Sequence, residues 1–163
     1  MESPDKDADP GDGRDETEAE RLDRNWNELL QELRVTQTGT QILTGFLLTI
    51  PFQQRFAELD ETQRTIYLVL VAFAALATIL ALAPVSMHRA LFRQGAKPEI
   101  VRVTNRLLMG ALASVALTLI GTSVLIFDVV VGLQAGIIAG VVTATLTALA
   151  WLALPRITGR RRL

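Results

Sequence analysis

Residues 107–154, LLMGALASVALTLIGTSVLIFDVVVGLQAGIIAGVVTATLTALAWLAL, are apolar over 48 positions with a single charge, Asp128. About 20 helical residues cross a bilayer core. The stretch therefore predicts two spans, about 107–127 and 131–154, joined by a tight turn. The turn is placed in residues 128–132, because only there do a charge and a glycine meet near the middle of the run.

Toward the N-terminus, residues 88–106, HRALFRQGAKPEIVRVTNR, hold five Lys/Arg and one acid. Gly95 reads as a helix stop and Pro98 suits the first turn of the next helix. Residues 65–87, TIYLVLVAFAALATILALAPVSM, carry no charge and are long enough to cross, with Pro84 bending the helix near its exit. Residues 53–64 form a short polar loop in which Asp60 with Gln63 has the form of a helix start. Residues 35–52 predict a further span, ended by Pro51. An amphipathic helix over 17–34 leads into it. Thr17 and Glu20 form a capping box, and Leu22, Trp26, Leu29, Leu30 and Leu33 share one face. That face suits either a headgroup-level helix or a cytoplasmic stub packed on its own protein. Residues 1–16 are acidic, with Met1 their one large apolar side chain, and read as a disordered tail.

The fold class expected is all-α: an integral membrane bundle of four transmembrane helices, ending in a basic tail at 156–163. Twelve of the 17 acids lie in the first 32 residues. The Arg-rich 88–106 loop, the Arg-rich tail, and Arg21, Arg24 and Arg34 then fall on one side. The positive-inside rule makes that side cytoplasmic, with both termini there and Asp128 at the outer face. A multi-pass protein of a bacterial plasma membrane is expected. Cysteine is absent and His88 is the single histidine, so thiol catalysis, disulfides and Cys or His metal centres are not expected. No nucleophile–base pair is evident, so no enzyme activity, cofactor or nucleic-acid partner is expected.

The candidate chemistry lies in the first span. On a helical wheel Arg34, Thr38, Gln41 and Gly45 form a stripe flanked by Gln37, Thr44 and Thr49. A glutamine in hydrocarbon is costly unless its amide is paired. Two readings follow for Arg34, Gln37, Thr38, Gln41 and Thr44: a polar pathway for an ion or solute, or a helix-packing seam. Proton coupling would need a buried titratable group, and Asp128 is the one candidate, read as an ordinary outer-turn residue. Small residues recur every four positions at Gly110, Ser114, Thr118 and Thr122, and at Gly132, Gly136, Gly140, Ala144 and Ala148. This pattern lets helices approach closely, within one chain or between copies. Arg89, Arg93, Lys97, Arg102 and Arg106 are candidates for contact with anionic lipid headgroups, or with the acidic head.

NELLQELRVTQTGTQIL (27–43), FLLTIPFQQRF (46–56), APVSMHRALFRQGAKPEIV (83–101) and the following Asn105-Arg106 carry a resemblance. Together they are similar to an uncharacterised family of small actinobacterial membrane proteins, defined only as a domain of unknown function, over about residues 20–150. Some members of such families are labelled sodium:proton antiporters. The resemblance thus implies ion transport without assigning a catalytic or binding residue. Four-span small multidrug transporters place a Glu in the first span, where this chain has Gln37 and Gln41. The residues themselves lead to a structural or regulatory membrane protein that associates with itself or with another membrane protein. The alternative is a transporter or channel component lined by the polar face of span one.

Overall fold

The computed structural model describes residues 15–91 and 97–159. Most of the acidic head, Arg93, Gly95 and Arg160 to Arg162 fall outside these residues, as do the side chains of His88 and Lys97.

All the described elements are helical. Helix α1 runs unbroken over Glu18–Thr49, so the amphipathic segment and the first expected span are one element. Its start is set locally. The Thr17 hydroxyl accepts the Glu20 N–H at 3.3 Å, and the Glu20 carboxylate accepts the Thr17 N–H at 2.9 Å. These bonds satisfy donors that a helix N-terminus leaves open, and they hold the Glu20 carboxyl below its ordinary range. One turn on, Arg24 binds Glu16 at 2.6 Å and Glu28 at 3.3 Å, which favours its charged form.

Pro51 cannot donate to the α-helical ladder, and α1 gives way to short 3-10 turns over Ile50–Phe52 and Gln54–Glu58. Helix α2 spans Glu61–Leu91 and begins four residues earlier than its expected apolar start. The cause is a reciprocal cap: Gln63 N–H donates to Asp60 Oδ1 at 2.8 Å, and Asp60 N–H donates to Gln63 Oε1 at 3.2 Å. Helix α3 spans Lys97–Val131 and α4 spans Leu133–Ala148. One residue reverses the chain between them. Gly132 has φ 122°, a value that L side chains rarely adopt. Asp128 therefore sits in the last turn of α3, not in the loop where it was expected, because Val129 to Val131 complete that turn. After α4 the helix widens into a π segment, Leu149–Ala153, and continues as α5, Leu154–Gly159. The Leu154 N–H reaches back five residues to the Leu149 carbonyl, just before Pro155 deprives the ladder of a donor.

Helix α3 is the hub, packing against α1, α2 and α4, while α1 also packs on α2. Apart from its own continuation, α4 touches α3 alone among the described elements. Its contact is built from glycines. A Cβ at Gly136 would lie 2.8 Å from the Val124 carbonyl oxygen, and one at Gly140 would lie 2.5 Å from Val124 Cγ2. The small-residue stripe of α4 thus seats it on α3 of its own chain. Ser123 and Thr143 add a hydroxyl–hydroxyl bond of 3.1 Å across the same seam.

Three helices are long and apolar enough to cross a membrane: Glu61–Met87, Val101–Val130 and Leu133–Ile157. They are compatible with a membrane protein. Only 6% of the most apolar window of the last is buried inside the chain, against 28% and 22% for the other two. The stretch 35–52 is not among them, because its seven Thr and Gln lower its apolarity.

Candidate functional site

A seam with polar side chains along its length joins α1 to its neighbours. Leu33, Thr40 and Leu47 are buried, and Gln37 and Thr44 lie half-buried between them. Their steps of 4, 3, 4 and 3 keep all five on one helical face, the face turned to α2 and α3.

Two long-range bonds latch α1 to α2. Gln37 Nε2 donates to the Ala81 carbonyl at 3.0 Å. Ala81 stands in the turn before Pro84, which is buried within α2. A proline inside a helix takes the donor from the carbonyl four residues back, that of Leu80, and crowds the turn that also holds Ala81. Near the other end, the Tyr67 hydroxyl donates to the Leu47 carbonyl at 2.9 Å, in the last turn of α1. The Tyr67 ring meets Phe56 edge-on at 5.1 Å and packs with Leu47, Leu70, Ala74 and Leu125. These two bonds run α1 antiparallel to α2, with residues 37–47 beside residues 67–81.

The threonines turn inward on their own helices. Thr38 donates to the Arg34 carbonyl, Thr40 to Gln37 and Thr49 to Phe46, at 2.7–2.9 Å. Ser114 and Thr118 do the same on α3, donating to Gly110 and Ser114. Such bonds remove a hydroxyl from play as a ligand. Among the described residues, the buried hydroxyls of Thr44, Thr104 and Thr122 have no partner.

The wheel stripe therefore divides. Gln37 and Thr44 face the bundle, whereas Arg34, Thr38, Gln41 and Gly45 are exposed on its outside. The polar residues expected to form one face are split between an internal seam and an outer surface. The wheel positions of Gln37 and Gln41 differ by only about 40°, and what separates them is the carbonyl near Pro84, which lies on another helix.

At the opposite end of α2, Gln63 Nε2 donates to Asp128 Oδ2 at 3.1 Å. With its oxygen accepting the Asp60 N–H, the Gln63 amide ties the cap of α2 to the end of α3. That linkage between residues 65 apart had no local signal. Beside it, Arg55, Glu58, Leu59, Asp60, Gln63 and Val129 line a shallow cavity of about 300 Å³. Among the described residues no group of three or more His, Cys, Asp or Glu is arranged to hold a metal ion. At the other end, Gln31, Glu32, Val35 and Thr36 of α1 face Leu108 and Leu112 of α3 across an open groove. Arg89, Arg102 and Arg106 are exposed.

No curated protein and no solved structure matches the chain. The model of one family, described as a family of unknown function (DUF6328), matches residues 15–155, and the chain belongs to that family.

Proposed function

We propose that the chain is a four-span protein of a bacterial plasma membrane, with both termini cytoplasmic, and that it acts through helix association in a structural or regulatory role. One observation carries this reading: the Gln37 amide is bonded to the Ala81 carbonyl beside Pro84. The half-buried Gln37 amide of span one thus serves the joint between two helices rather than a path between them. The latches at Gln37 and Tyr67 also set residues 37–47 of α1 beside the central part of the apolar Glu61–Met87 run. If α2 crosses the bilayer, α1 crosses with it, and its polar inner face is screened from lipid by its neighbours.

The orientation is supported by charge. Exposed Arg89, Arg102, Arg106 and Arg156 lie toward one end of the helices, where anionic headgroups would each contribute about 1 kcal/mol. Glu58, Asp60 and Glu61 lie at the other end, around the start of α2.

The transporter reading has less support, since Arg34, Thr38 and Gln41 lie outside the bundle and line no shared path with Gln37. Reconstitution in liposomes separates the two. We expect no pH- or sodium-gradient-driven flux above that of empty vesicles. Flux that is present, and abolished by Gln37→Leu, would replace this proposal with transport.

A further inference from the structure

We infer that α1 pairs with α1 of a second copy of this chain through Thr38, Gln41 and Gly45, with the two Gln41 amides bonded reciprocally across a twofold axis. This rests on the reading of α1 as a membrane-embedded helix.

Gln41 lies between the two latches, beside the middle of the apolar run of α2. Its side chain is exposed and makes no hydrogen bond among the described residues. At that depth neither water nor a lipid tail offers an amide a partner, and leaving it unpaired is costly. Gln37, one turn earlier, has its partner within the chain. Gln41 does not.

The glycines supply a second, independent contrast. At Gly110, Gly121, Gly136 and Gly140 an added Cβ would press on a neighbour in the same chain, and Gly132 needs its positive φ. At Gly45, and likewise at Gly39 on another face of α1, a Cβ would meet nothing within 4 Å, and the backbone is helical. Glycine weakens a helix interior, and nothing inside this chain requires one there. Thr38, Gln41 and Gly45 follow at steps of 3 and 4, so the glycine and the unpaired amide share one outward stripe. Thr38 turns its hydroxyl onto the Arg34 carbonyl and adds a small side chain without an open polar group.

The amide also selects the occupant. Copies with the same topology are related by an axis along the membrane normal, which sets each residue opposite itself at the same depth. A glutamine carries both donors and an acceptor, so two of them satisfy each other. The glycine beside them lets the backbones come close enough to do so.

The chain has no cysteine, so single cysteines report the contact directly. Thr38→Cys, Gly45→Cys and, as a control, Leu76→Cys on the exposed face of α2 are oxidised in membranes with copper phenanthroline. We expect disulfide-linked dimer from the first two and at most background from the third. Adding Gln41→Leu should raise the dimer dissociation constant about tenfold in detergent. No dimer at Thr38→Cys or Gly45→Cys, equal yield at Leu76→Cys, or a linked band of another mass each overturns the pairing. A water-soluble maleimide applied to the reduced Gly45→Cys protein separates the two levels. Labelling would mean that α1 is not embedded, so both readings fall. Protection without dimer defeats the pairing alone.

Discussion

The seam between α1 and α2 and the seam between α3 and α4 hold helices together by opposite means. In the first, side chains reach across to backbone carbonyls, Gln37 to Ala81 and Tyr67 to Leu47. In the second, apart from the single Ser123–Thr143 hydroxyl bond, side chains are removed so that Gly136 and Gly140 can rest on Val124. Lipid tails are as apolar as the helices they surround, so association there comes from close packing and from polar groups that must be paired. This chain uses each device in a different place. A seam of bonds loses one bond at a time, whereas a seam of glycines fails when a single atom is added.

That contrast sets the order of effects. Gly136→Ile is expected to be the most damaging change, because its Cβ would meet a backbone oxygen 2.8 Å away that cannot swing aside. A loss of about 3 kcal/mol in detergent unfolding is expected, with α4 released from α3. Gln37→Leu and Tyr67→Phe should each cost about 0.6 kcal/mol, the average for a bond between membrane helices. Tyr67→Phe keeps its edge contact with Phe56. If either costs as much as Gly136→Ile in the same titration, the two seams do not differ in kind.

The smallest effect lies at the N-terminal cap. Folding lowers the Glu20 carboxyl, so its contribution is present above the ordinary value of 4.5 and is lost as pH falls through the lower folded value. Relative to the intrinsic rate at each pH, amide exchange at residues 18–21 should therefore quicken on acidification in the native chain. With Thr17→Ala it should already be fast at neutral pH. Identical pH profiles for the two would show that the capping box contributes nothing.

What could be read from sequence was local. The Thr17–Glu20 and Asp60–Gln63 caps, the stop at Pro51 and the reversal near Gly132 depend on residues within a few positions of one another. The outward placement of Gln41 and the bond from Gln63 to Asp128 depend on where a distant helix lies. A wheel drawn for α1 alone groups Gln37 with Gln41, and only the carbonyl near Pro84, 44 residues away, separates them. Hydropathy sets the same helix apart from the three apolar ones for a related reason. It averages over all faces of α1, although the buried Leu33, Thr40 and Leu47 share one and the exposed Ile42 and Phe46 point elsewhere.

The central claim is that α1 is a membrane span despite its threonines and glutamines. It is tested most directly by a spin label at Phe46→Cys, a site exposed on the outside of the bundle and off the Gln41 stripe. An embedded α1 predicts strong relaxation of the label by oxygen, which concentrates in hydrocarbon, and little by a water-soluble nickel chelate. Stronger relaxation by the chelate would place α1 in water and contradict the claim.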